Sequence, residues 1–159
     1  MSKEDVFISR IEGAKLVVET ADGVEEYDSK FLVAALLVYI ARSSGHIDSQ
    51  ESDKMIELIG EHFQIPGAEA LEIITRAMHE MDDKPQLIEA VLELESSFSD
   101  REKEAMAVMA LKVIAADGRR EFAEMEQFKE AMEALQISPE IVSKAFNQFF
   151  TETMPDLGN

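Results

Sequence analysis

Apolar residues recur along this chain at two spacings, and the change from one to the other divides it. Lys15 to Tyr27 alternates loosely about Asp22-Gly23, a dipeptide that favours tight turns, which predicts a small N-terminal β-hairpin. Residues 3–12 read instead as a short helix. From Asp28 onward the spacing becomes helical. Asp28 is placed to cap a helix running to about Arg42, and its stretch from Phe31 to Ala41 is apolar nearly all round. A helix without a polar face has to be covered on every side, so this one is expected at the centre of the fold.

Asp48 and Glu51 form a capping-box pair ahead of a second helix, in which Met55, Leu58, Ile59 and His62 share one face as far as Phe63. Pro66 opens a third with a stripe of Leu71, Ile74, Met78 and Met81. Asp82-Asp83-Lys84-Pro85 then punctuates before a fourth carrying Leu87, Val91 and Leu94. Ser99 and Glu102 make another capping box, and the helix they open holds Met106, Val108, Met109, Leu111, Val113 and Ile114, again apolar on most sides. Phe122, Met125, Phe128, Met132 and Leu135 mark a sixth helix. Ser138-Pro139 caps and starts a last one with Val142, Ala145, Phe146 and Phe149.

This order repeats itself. Gly45-His46-Ile47-Asp48-Ser49-Gln50-Glu51 and Gly118-Arg119-Arg120-Glu121-Phe122-Ala123-Glu124 each follow a nearly all-apolar helix, turn on glycine and set a glutamate six residues later. Phe63-Gln64-Ile65-Pro66 falls opposite Leu135-Gln136-Ile137-Ser138 once a single-residue indel is allowed. One helix-turn-helix unit cannot bury its apolar face alone, whereas two can close a shared core about a pseudo-twofold axis. The expected fold is therefore all-α, with about seven helices in two pseudo-repeated helix-turn-helix-helix halves around a shared core. The first half spans 31–81, a connecting helix 84–96, and the second half 100–151. Residues 1–29 form an N-terminal segment with the hairpin, 30–151 the helical domain, and 152–159 a tail.

Composition narrows the function classes. The 159 residues suit a single domain. Fifteen Lys and Arg against thirty-three Asp and Glu leave a formal charge of −18, which repels phosphate backbones and anionic lipid and gathers cations, so no nucleic-acid partner is expected. The absence of cysteine removes disulfides, thiolate metal sites and thiol chemistry. The longest apolar run is too short to span a bilayer, which takes about 20 residues, so no membrane insertion is expected. The Met1-Ser2-Lys3-Glu4-Asp5 start lacks the basic and apolar regions of a secretory signal, pointing to the cytoplasm.

Glycine followed six positions later by glutamate is also the second half of an EF-hand loop, but Ile40, Arg42 and Ser44 in one copy and Val113, Ala115 and Asp117 in the other occupy the ligand positions before the glycine. Neither loop binds calcium in that manner. Two readings of the turn carboxylates stay open. In one, Gly45 and Gly118 end helices while Glu51 and Glu124 stabilise the next helix starts. In the other, among Asp48, Glu51, Asp53, Asp117, Glu121, Glu124 and Glu126, the trio Glu51, Asp117 and Glu124 meet across the pseudo-axis as a calcium or magnesium site, with Asp48 and Glu121 as additional ligands. His46, His62 and His79 lack the spacing of di-iron or zinc motifs. His62 and His79 are expected at partly buried helix edges, His46 on an exposed turn. No nucleophile elbow, phosphate loop or dinucleotide fingerprint is present, and the expected protein is not an enzyme. Met106, Met109, Met125 and Met132 fit core stripes, or alternatively an adaptable partner groove. The basic pair Arg119-Arg120 either docks an acidic partner or solvates a turn.

The segments from Ile40 to Glu51 and from Ile114 to Glu124 resemble the A-x-D-G-x-[ILV]-x-x-x-E turn of the TerB-like family, the tellurite-resistance TerB proteins and their relatives, over roughly residues 30–150. The resemblance implies an all-helical fold of two related halves, no enzymatic activity, and a place in tellurite-resistance, metal-stress or defence complexes. The acidic turn site ascribed to the family would carry over to Asp117 and Glu124 in the second copy and Glu51 in the first. The chain departs at Ser44, where the family favours aspartate, and at Arg120, where it favours an aliphatic residue. The first change removes a ligand and the second adds a competing cation. Tellurite is itself an oxyanion, which a chain at −18 without cysteine neither attracts nor reduces, so any role in resistance is indirect. The expected function is a non-enzymatic binding or scaffold module, to which the second of the two turn readings would add a calcium or magnesium ion. The alternative is a ligand-free structural protein recruiting protein partners through its helical surface.

Overall fold

The computed structural model describes residues 6–12, 15–21, 23–42, 47–84, 86–93, 98–116 and 122–153. Three antiparallel strands come first, β1 (Val6–Glu12), β2 (Lys15–Thr20) and β3 (Gly23–Tyr27), in the order β1-β2-β3. The hairpin lies where Asp22-Gly23 places it: Thr20 pairs with Gly23, whose φ of +135° is open to glycine alone at no steric cost. Residues 6–12 correct the helical expectation for that segment. Val6, Ile8 and Ile11 suit a pleated surface, and β2 pairs with each of them, the register shifting between Val6 and Ile8.

Among the described residues seven helices follow: α1 (Ser29–Ala41), α2 (Ser49–Phe63), α3 (Gly67–Asp83), α4 (Leu87–Leu92), α5 (Asp100–Ile114), α6 (Phe122–Ala134) and α7 (Pro139–Thr153). The starts of α1, α2, α5 and α7 are fixed by side chains that satisfy otherwise orphaned amides. Asp28 Oδ1 accepts from the Phe31 amide at 3.0 Å, and Ser138 Oγ accepts from the Ile141 amide at 3.3 Å. Ser99 and Glu102 form a reciprocal capping box, as do Asp48 and Glu51. The helix α4 is short, and α7 continues two residues beyond the expected end.

The core runs along α1 and α5, which pack on each other and are buried almost throughout, from Phe31 to Ala41 and from Met106 to Ile114. Each central helix also reaches across to the other half: α1 packs on α6 as well as on α2 and α3, and α5 packs on α2 as well as on α6 and α7. That crossing is what burying two apolar-all-round helices requires. Leu71 is an exception to the expected stripe on α3, with 48% of its surface exposed, because Ala70, Ile74 and Ala77 make the contact instead.

The turns α2–α3 and α6–α7 have the same local structure. Gln64 and Gln136 both adopt left-handed backbone, with φ of 55° and 53°. The next amide in each reaches five residues back, Ile65 to the Gly60 carbonyl at 3.0 Å and Ile137 to the Met132 carbonyl at 2.9 Å. With these turns aligned, Gly60, Gly67, Ala70 and Ile74 correspond to Met132, Pro139, Val142 and Phe146.

Candidate binding site

Substituting larger residues for smaller ones separates the two helix pairs. In the first half α2 and α3 pack closely. A Cβ on Gly60 would stand only 3.3 Å from the Ile65 carbonyl oxygen, and one on Gly67 3.9 Å from Ile56 Cγ2. Gly60 thus leaves the turn carbonyl room, and Gly67 sits against an α2 side chain without adding one of its own. In the second half those positions hold Met132 and Pro139, and Ala70 gives way to Val142. Here, among the described residues, α6 and α7 lie farther apart and meet through Phe128 and Phe146, and a groove of about 660 Å³ opens between them. Its apolar lining includes Met125, Phe128, Met132, Ile137, Val142 and Phe146. Phe128 and Phe146 meet edge to face at 6.0 Å, and Phe146 stacks on the exposed Phe150 at 6.4 Å, which carries the apolar strip beyond the groove along α7. Glu126, Lys129 and Glu133 line the α6 side, and Ser143 and Asn147 the α7 side. Of the methionines assigned to core stripes, Met106, Met109 and Met132 are buried and Met125 is half-buried, the last two lining the groove.

The acidic turns divide differently. Asp48 Oδ1 accepts from the Glu51 amide at 2.8 Å and Glu51 Oε1 from the Asp48 amide at 3.2 Å, with Glu51 only 2% exposed. This geometry fits a helix cap, each carboxylate committing an oxygen to a backbone donor. Asp117 and Glu121, with Gly45, His46, Gly118, Arg119 and Arg120, lie outside the described residues. Glu124 lies on α6, but its side chain is outside them too. Among the described residues no three His, Asp or Glu side chains cluster with the spacing of a metal site. His62 and His79 are exposed rather than partly buried, and His79 Nε2 lies 3.2 Å from Asp83 Oδ2.

A third cluster was not foreseen. Tyr27, at the end of β3, is fully buried and stacks on Phe31 of α1 at 4.4 Å. Its hydroxyl lies 2.9 Å from Glu80 Oε2 and 3.1 Å from Glu25 Oε2, and donates its single hydrogen between two carboxylates. Lys84, 2% exposed, closes the cluster by donating to Glu80 at 2.6 Å and Glu25 at 3.5 Å. The Arg76 guanidinium lies over both rings, at 5.0 Å from Tyr27 and 5.1 Å from Phe31, and donates to the Glu26 carbonyl at 3.4 Å. Burial first, then the hydrogen bond to Glu80 and the charges of Glu80 and Glu25, hold the Tyr27 hydroxyl well above its ordinary pKa, with Lys84 pulling the other way. The Glu80-Lys84 spacing of four residues was a visible signal. Its partner Tyr27, 53 residues before Glu80, was not.

The match to known proteins falls on the helices. The family model described as tellurite resistance protein TerB matches residues 30–147. The chain belongs to the TerB family. Neither a curated protein nor a solved structure matches it. The TerB segment takes in α1 through most of α7, and with them the groove. The sheet and Tyr27 precede it, so the Tyr27 cluster fastens a non-matching element onto the TerB helices. No described helix is long and apolar enough to cross a membrane.

Proposed function

We propose that this TerB-family chain is a non-enzymatic binding module of a tellurite-resistance or metal-stress response, working in the cytoplasm through protein partners. The observation that carries this reading is the groove between α6 and α7. It exposes Met125, Val142 and Phe146 where the equivalent α2–α3 pair is closed, so the chain keeps apolar surface open that its own architecture is able to bury. We read the halves as one unit written twice, supported by the matching turns at Gln64 and Gln136. The test compares the intact chain with Val142→Glu, in cells under tellurite or metal challenge and in binding to partners purified from them. The reading expects V142E to keep the fold but lose both partner binding and protection. Full protection from the folded variant would refute it.

A second reading, a calcium or magnesium ion at Glu51, Asp117 and Glu124 with Asp48 and Glu121 beside them, is favoured by the burial of the Glu51 carboxylate at the turn. Calorimetric titration of the intact chain checks it. Heat of binding and a rise in melting temperature with either metal, both absent from a Glu51→Gln, Glu124→Gln variant, are expected. No heat at millimolar metal would remove the ion.

A further inference from the structure

The groove constrains its occupant by shape and by charge. Two helices held apart leave a trough, and its α6 side runs from Met125 to Glu133, a length of about 13 Å, or between two and three helical turns. The secondary structure that fills such a trough with one apolar face is an amphipathic helix, whose anchors recur at i, i+3 or i+4, and i+7. An extended strand would bring unpaired amides and carbonyls to a floor of Met125, Phe128, Met132 and Val142 that offers no backbone partner. Met125 and Met132 add unbranched, polarizable side chains that adapt to an incoming aliphatic face.

Charge selects the flanks of that helix. Glu126 and Glu133 stand one turn either side of Lys129 along the α6 rim, and the opposite rim offers only the neutral Ser143 and Asn147. The rim is therefore net acidic, within a chain of −18 that repels acidic segments and draws in basic ones. Resting on the binding-module reading above, we infer that the α6–α7 groove takes a basic amphipathic helix from a partner protein: aliphatic residues seated on Phe128, Met132, Val142 and Phe146, and Lys or Arg beside Glu126 and Glu133. Phe150, stacked on Phe146, prolongs the seat for one end of that helix.

The test uses the intact chain and three synthetic peptides of equal length: one with the aliphatic face and Lys/Arg flanks, one with the same face and Glu flanks, and one Lys-rich with no apolar face. Affinities are measured by calorimetry at two salt concentrations. The first peptide is expected to bind, become helical on binding, and weaken as salt rises. Glu126→Lys with Glu133→Lys, two exposed positions whose change spares the fold, should cost about tenfold in Kd. Val142→Glu should cost about a hundredfold, by placing a charge on the apolar floor. Equal binding of the Glu-flanked peptide, still lost in V142E, would overturn the charge assignment while leaving the groove a binding site. Equal binding of the Lys-rich peptide, unaffected by V142E, would overturn the groove as the seat. Concentration-dependent self-association abolished by V142E would make a second copy the occupant and overturn the inference. Absence of binding by every peptide would overturn the inference, while the reading beneath it is decided separately by protection in V142E.

Discussion

The two helix pairs α2–α3 and α6–α7 begin from the same turn and end in opposite states, one closed and one open. Both turns hold a glutamine in left-handed backbone, and both send the following amide five residues back. What differs is the size of the residues on either side of the turn: Gly60, Gly67 and Ala70 against Met132, Pro139 and Val142. The backbone motif thus sets the direction in which the second helix leaves, while side-chain volume decides whether the pair closes or leaves a groove.

This comparison is open to test by substitution. Ile40→Ala on α1 and Ile114→Ala on α5 remove equivalent bulk from the shared centre and should each cost about 4 kcal/mol, read from the urea midpoint. Unequal losses, or two separate unfolding transitions, would show that the halves do not share one core. Lys84→Met leaves the Glu80 carboxylate facing Tyr27 without its ammonium and should cost about 3 kcal/mol by the same measurement.

Gly60→Met carries the second half's residue into the first. With the Ile65 carbonyl in its way, it should cost about 2 kcal/mol and raise binding of a hydrophobic dye as α2 and α3 part. An unchanged midpoint would show that side-chain volume is not what separates the pairs.

Tyr27→Phe should cost about 1 kcal/mol near neutral pH, and it changes the alkaline limb. The folded-state pKa of Tyr27 lies above the unfolded value of 10.0, so its contribution is full below that pH and is lost as pH rises beyond it. Tyr39 is the one other tyrosine, and burial and the Glu130 charge raise its pKa also. In a Tyr39→Phe background, tyrosinate absorbance should therefore appear only together with unfolding, and its appearance while the helices persist would contradict the buried cluster.

The smallest effect is the most direct comparison of the turns. Gln64→Gly and Gln136→Gly each relieve left-handed strain at some entropic cost and should stabilise by about 0.5 kcal/mol, to the same extent. A difference in sign would mean that the turns are not equivalent.

Much of the fold was legible because it is encoded locally. Asp28, Asp48, Ser99 and Ser138 announce their helices through hydrogen bonds spanning three residues, and the unbroken apolar runs of α1 and α5 leave them nowhere to go but the centre. β1 was missed because a strand's stability rests on its neighbour, and nothing within residues 6–12 reveals that β2 will pair with them. The groove was half visible. The stripes of Met125 and Phe146 were there to read, but their openness follows from Gly60 and Met132 occupying the same place in two turns, which only the aligned backbones reveal. The Asp48-Glu51 pair was legible as a cap, whereas its association with residues of the other turn is a question of distances across the fold.

The Tyr27 cluster bears on how this protein can be divided. A fragment cut to residues 30–147 would carry every TerB-matching position and discard the aromatic lid. Glu80 and Lys84 would then meet water on a face built to be dry, and Phe31 would lose the ring stacked against it. Boundaries drawn from family likeness would cut through a joint, so the smallest durable unit of this chain begins upstream of the segment it shares with its kin.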